Sequence, residues 1–187
     1  MISSASKNSN LISKDTAVLI IIDMQERLVP VISGKEQVID NVIRLARFAE
    51  IIEIPVICTE QQKLGPTLTE IRSAMPVFEP IPKFEFNCFG ASDFTQKIKA
   101  LGRNTLIISG IEAHICVAQT ALYAVSNQYD VHVVSDAISS RTEDNRHVAV
   151  NRMSLSGITL TSTEMLIFEL LEKAGTDTFK EVLKLVK

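Results

Sequence analysis

Short apolar runs alternate with stretches of helical spacing along most of the chain. "AVLIIID" (17–23) is a continuous, largely β-branched run closed by an aspartate. Over 36–52, Val38, Val42, Leu45, Ala46, Ala49 and Ile52 recur every three or four residues, the spacing of an amphipathic helix. "PVICTE" (55–60) predicts a second strand, 67–75 a weak helix, and 77–82 a third strand interrupted by proline. "SDFTQKIKAL" (92–101) predicts a helix with Ser92 as its N-cap and Gly102 at its end. "TLIISG" (105–110), "VHVVSD" (131–136) and "GITLTS" (157–162) complete the strands. A helix follows residue 110, a polar one spans about 142–154, and two amphipathic ones cover 163–175 and 177–186.

Strands that are apolar throughout are buried on both faces, as in a parallel sheet covered by helices. Strand–helix alternation points the same way. The expected fold class is therefore α/β, with about six parallel strands joined by right-handed crossovers. Such a sheet places chemistry beyond the C-terminal ends of its strands.

Composition narrows the function classes. The chain has 187 residues, 46% hydrophobic and 22% charged, with a net charge of −3. That suits one globular domain, and the absence of a basic cluster argues against nucleic acid as a partner. No run is long enough to span a bilayer, so no membrane partner is expected. Residues 1–15, rich in Ser and Asn, read as a flexible arm without the apolar core of a signal peptide; residues 16–187 read as a single domain. Three widely spaced cysteines and no CxxC argue against a disulfide framework or a structural zinc site. A cytoplasmic location follows as an expectation.

Three strand ends carry candidate chemistry. The first ends at Asp23, the third near Lys83, and the fourth leads through "GIEAHICVAQTALYAV" (110–125) to Cys116. Each has an ordinary reading: strand terminator, solvated amine, packing thiol. Parallel strands, however, would bring an acid, an amine and a thiol to one edge. A helix's first turn and a nearby ammonium both favour a thiolate, so this set predicts a lowered pKa at Cys116. Asp23 would then accept the thiol proton.

"LIIIDMQ", "KFEFNCF", "ISGIEAHICVAQTALYA", "VVSDAISSR" and "STEMLIFELL" resemble the isochorismatase-like cysteine hydrolases, relatives of nicotinamidases and N-carbamoylsarcosine amidases. The resemblance runs from about Thr16 to Leu171, and the chain is most similar to the branch carrying "GIEAHICV". It implies a three-layer Rossmann-like fold and a catalytic triad of Asp23, Lys83 and Cys116. It also implies a non-proline cis peptide at Ile111–Glu112 and an oxyanion hole from the backbone N–H groups of Glu112 and Cys116. The implied reaction is hydrolysis of a small carboxamide or related C–N bond through a thioester on Cys116. A small-molecule substrate and a homo-oligomer are the implied partners.

Departures from the family pattern limit the reading. Nicotinamidases carry a metal-binding Asp-x-His after the second strand; here that region is "CTEQQKLGPTL", with neither residue. No metal and no cofactor are therefore expected, and nicotinamide is disfavoured as substrate. Cys116 likewise disfavours isochorismate, whose hydrolases often lack the thiol. Gln25 either fixes its loop or contacts the triad. Phe84, Phe86 and Phe89 form either core or a hydrophobic wall for a flat substrate. Cys88 packs or lines the pocket. The Glu112 side chain faces either pocket or scaffold. His114 lines the cleft or a subunit contact, since residues two apart on a helix do not face each other. Other small-molecule hydrolysis, isochorismatase-type hydrolysis, a non-catalytic module and a redox sensor on the same fold stay open as alternatives.

Overall fold

The computed structural model describes residues 11–75 and 77–186. Among the described residues, six strands form one sheet in the order β3-β2-β1-β4-β5-β6. They are β1 (Ala17–Ile22), β2 (Val56–Gln61), β3 (Ile81–Lys83), β4 (Thr105–Ile111), β5 (Asp130–Ser139) and β6 (Thr159–Thr161). Every neighbouring pair is parallel. The sheet and its covering helices make the three-layer α/β fold expected from the alternation. β1 is buried along its whole length, which is why its sequence is apolar without alternation.

The helices are α1 (Lys35–Ile51), α2 (Thr69–Arg72), α3 (Ser92–Leu101), α4 (Ala118–Ser126), α5 (Glu143–Leu155), α6 (Thr163–Leu171) and α7 (Asp177–Val186). Leu19 and Ile21 of β1 pack with Leu45 of α1, Leu166 of α6 and Val182 of α7. Val18, Ile20 and Ile22 point the other way, into a cluster with Phe94 of α3, Ala121 of α4 and Met153 of α5. The alternating side chains of one strand thus feed two cores, one on each face.

Several boundaries differ from the sequence pattern. The weak helix over 67–75 is one turn, α2. The third strand is shorter than its apolar stretch and begins only at Ile81. β5 runs to Ser139, past the polar Ser135 and Asp136. Ser92 is not the N-cap of α3: Ala91 holds that position, and no side chain caps the helix. Of the arm expected over residues 1–15, the first ten lie outside the described residues. Ile12 is buried in the same core as Leu19 and Leu45, and its N–H donates to Glu169 Oε1 at 2.6 Å. Among the described residues, no helix is long and apolar enough to cross a membrane.

Candidate active site

β1 and β4 are adjacent, and from them the strand order runs outward in opposite directions. The crevice beyond the C-terminal ends at such a reversal is the ordinary ligand site of an open α/β sheet. Asp23 follows β1, Lys83 ends β3, and Cys116 follows β4. The sheet therefore collects all three at one edge.

Two local backbone features accompany this placement. Asp23 leaves β1 in the left-handed region, at φ 52°, a conformation that aspartate tolerates better than most residues. After β4 the Ile111–Glu112 peptide bond is cis. The chain then enters a π-helical turn, Ala113–Val117, that continues directly into α4. The N–H of Val117 reaches back five residues to the Glu112 carbonyl at 3.2 Å. Cys116 lies in this widened turn, a feature frequent at functional sites.

The three candidate groups lie close together. Lys83 Nζ donates to Asp23 Oδ2 at 2.6 Å and lies 3.8 Å from Cys116 Sγ. Asp23 and Lys83 are buried, and Cys116 is 5% exposed. Burial is the largest influence and works against the Lys83 ammonium, but the Asp23 carboxylate, with smaller contributions from Cys88 and Cys116, outweighs it and holds the amine above the ordinary lysine range. At Cys116 the balance runs opposite to the expected lowering: burial, then the Asp23 carboxylate, push the thiol up to about 12 against the pull of Lys83. A helix terminus lowers the pKa of a thiol that keeps contact with water. In a closed site, desolvation and a neighbouring anion dominate. Cys116 thus rests as a neutral thiol at neutral pH.

Four groups around the candidate site were not singled out from the sequence: three touch Asp23 or Lys83, and Arg141 acts on Glu112. Thr59 Oγ1 donates to Asp23 Oδ1 at 2.7 Å. Gln61 Oε1 accepts from Lys83 Nζ at 2.8 Å, and the Glu85 carbonyl accepts from it at 3.2 Å. Arg141 grips Glu112: its Nη2 lies 2.6 Å from Oε1, and its backbone N–H donates to Oε2 at 2.9 Å. Burial alone would lift the Glu112 carboxyl, but Arg141 outweighs it and holds the group below the ordinary range. The only sequence signal for Thr59 and Gln61 was their two-residue spacing at the end of a strand, which puts both on one face.

The remaining candidates separate. Gln25 is buried and ties the loop after β2: its Nε2 donates to the carbonyls of Gln61 and Gly65, and its Oε1 accepts the Gln61 N–H. The Glu112 side chain binds the Arg141 scaffold. His114 Nδ1 shares a hydrogen bond with Ser140 Oγ at 2.9 Å. Cys88 is fully buried, and its N–H donates to Thr120 Oγ1 at 3.0 Å; burial pushes its thiol up to about 11. Phe89 packs on Phe94, Tyr123 and Tyr129, with ring centroids 5.0 to 5.5 Å apart. Phe84 and Phe86 are exposed, at 70% and 53%. The three phenylalanines therefore do not form one wall. A groove of about 470 Å³ lies along the β2–β3 edge, lined in part by Cys58, Val77, Ile81 and Lys97, and holds no triad residue.

Residues 17–165 match the isochorismatase domain. The chain belongs to the isochorismatase family. It is therefore an isochorismatase-like hydrolase in fold and class. The secreted isochorismatase effector Isc1 of Phytophthora sojae is 34% identical, over 100% of this chain and 91% of its own length. The structure of the MAR1 ribonuclease from Caenorhabditis elegans superposes with a TM-score of 0.86 at 34% identity, covering 94% of this chain and 92% of that one. The YcaC gene product of Escherichia coli, described as an octameric hydrolase of unknown specificity, gives a TM-score of 0.88 at 27% identity, covering 96% and 92%.

Proposed function

We propose that this member of the family is a cysteine hydrolase acting on a small carboxamide or related C–N bond, with Cys116 as nucleophile, Asp23 as general base and acid, and Lys83 as the fixed cation between them. The observation that carries this reading is the placement of one buried ammonium 2.6 Å from a carboxylate and 3.8 Å from a thiol.

In this scheme the thiol is neutral at rest, and its proton passes to Asp23 as the sulfur attacks the carbonyl carbon. The backbone N–H groups of Glu112 and Cys116 receive the developing oxyanion, a contribution that in acyl transfer is often the largest electrostatic one. As the C–N bond breaks, Asp23 returns the proton to the departing nitrogen, leaving a thioester on Cys116. Water then gives a proton to Asp23 and attacks the thioester. Collapse releases the acid, and Asp23 hands its proton back to the sulfur. Lys83 stays protonated throughout, which suits its raised pKa. A raised thiol pKa fits this order of events: the thiolate forms in concert with attack and does not stand exposed to oxidants beforehand.

An RNA substrate, which the name of the C. elegans relative would bring, gains no support from a chain of net charge −3. We also place the protein in the cytoplasm, since its cysteines are unpaired, as a reducing compartment keeps them. A homo-oligomer, as in the E. coli relative, is part of the same reading, and light scattering showing a monomer would remove it. The direct test is intact-mass analysis after exposure to p-nitrophenyl acetate and a panel of small amides. The expected result is an acyl adduct on Cys116 that disappears in Cys116→Ser. An adduct on another residue, or turnover unchanged in Cys116→Ser, would overturn the scheme.

A further inference from the structure

An ammonium group has three N–H bonds to place. Around Lys83 Nζ stand three oxygens: Asp23 Oδ2 at 2.6 Å, Gln61 Oε1 at 2.8 Å and the Glu85 carbonyl at 3.2 Å. Together they fix the direction of the ammonium, and with it the face it turns to Cys116 Sγ. Of the two side chains among them, Asp23 must exchange protons in the proposed reaction, whereas Gln61 does not titrate.

Gln61 is itself held at both ends. Its backbone N–H donates to Gln25 Oε1 at 2.8 Å, and its carbonyl accepts from Gln25 Nε2 at 2.9 Å. Its side-chain Nε2 donates to the Phe84 carbonyl at 2.7 Å, so its Oε1 has to face Lys83. The strand register places Gln61 of β2 directly beside Lys83 of β3. A continuous path therefore runs from Gln25 through Gln61 and Lys83 to Asp23 and Cys116.

We infer that Gln61 is a positioning residue for the reaction: it orients Lys83 while adding no second negative charge to a site where one cation already serves a carboxylate and a forming thiolate. Neutrality is the functional property. The inference rests on the reading of Cys116 as nucleophile.

The titratable and charged groups around this point are Asp23 after β1, Cys58 and Glu60 on β2, Glu85 and Cys88 after β3, and Cys116 before α4. Glu60 is engaged by Thr67, and the Glu85 carboxylate accepts the Phe84 N–H. Gln61→Glu and Gln61→Met separate the possible roles. A protonated glutamic acid can reproduce both bonds of the glutamine, its O–H donating to the Phe84 carbonyl and its C=O accepting from Lys83. Ionisation of that acid adds a second carboxylate beside Lys83 and loses the donor. Methionine keeps the length and loses both bonds at every pH.

The experiment measures iodoacetamide alkylation of Cys116 by peptide mass spectrometry, and p-nitrophenyl acetate hydrolysis, from pH 5 to pH 9.5, on the full chain. Both variants are first shown to melt cooperatively. For Gln61→Glu, both rates relative to wild type are expected to be at least tenfold down from pH 6 upward, where the glutamate is ionised, and to begin rising as pH falls toward 5 and the acid starts to reprotonate. For Gln61→Met, they should be reduced by a factor that does not change with pH. If Gln61 served only to hold the Phe84 carbonyl, the ionised glutamate and the methionine would be equivalent. Rates for the two variants that agree within twofold at pH 9.5 would therefore overturn the inference. Loss of hydrolysis in Cys116→Ser alongside that result would leave the nucleophile reading standing. Hydrolysis unchanged in Cys116→Ser would remove the nucleophile reading and, with it, the role of Gln61.

Discussion

At Cys116 two neighbours act in opposite directions, and the structure decides between them. Lys83 favours the thiolate, while Asp23 opposes it, and burial reinforces Asp23. Replacing Asp23 by Asn removes the opposing charge and leaves Lys83 in place. Alkylation of Cys116 between pH 8 and pH 9 should therefore accelerate in Asp23→Asn, because the thiol titrates lower. Hydrolysis should fall by about 10²- to 10⁴-fold, because the proposed proton acceptor is gone. Opposite movement of the two rates, read on the same preparation, is the signature of a base beside its nucleophile. If both rates fell together, Asp23 would be holding structure and not taking a proton. Asp23, Lys83 and Cys116 were visible in the sequence as candidates because they lie at or just beyond strand ends, and the family resemblance joined them as a triad. Thr59, Gln61 and Arg141 were not, since a polar residue near a strand end has no mark until the register shows what it faces.

The element that carries the site is the passage from β4 into α4, and its tightest point is Gly110. Gly110 has φ +105°, and a Cβ there would lie 2.1 Å from the Ile22 carbonyl oxygen. That oxygen belongs to the backbone of β1, which is packed on both faces and cannot retreat. Gly110→Ala is expected to cost about 3 kcal/mol or more, from backbone strain and overpacking together. It should also separate Asp23 from Cys116, since the two flank this contact. The denaturation midpoint and the hydrolysis rate check both effects. A midpoint equal to wild type would mean that β1 and β4 part without penalty. The helix after residue 110 was readable from its apolar spacing. Its π-helical start was not, because apolar spacing does not distinguish an i to i+5 bond from an ordinary helical one.

Over the whole molecule, the buried thiols make stability depend on alkaline pH. Burial raises Cys58 and Cys116 from 9.0 to about 12 and Cys88 to about 11. Above pH 9 the unfolded chain releases these protons while the folded chain keeps them, so stability falls as pH rises, by about 1.4 kcal/mol per pH unit for each thiol. Below pH 9 both states hold the protons and the contribution is flat. Lys83, also raised in the folded state, adds a loss of the same sign above its ordinary value of 10.5. Urea unfolding at pH 8, 9.5 and 10.5 should show this decline. Cys58→Ala, which removes one thiol away from the triad, should make it shallower. An unchanged slope in that variant would mean that Cys58 titrates normally and is not sealed in the core.

The sequence by itself determined the fold class and the family, because both are written in local patterns: apolar strands, helical spacing and short motifs of fixed composition. It also brought Asp23, Lys83 and Cys116 together as candidates, since parallel strands end at one edge. Only the tertiary structure decided how these groups are charged and who holds them. The sign of the Cys116 shift, the clamp of Gln61 on Lys83 and the grip of Arg141 on Glu112 depend on burial and on distances between distant segments. Electrostatic balance is set by what surrounds a group in space, and no local pattern along the chain records that.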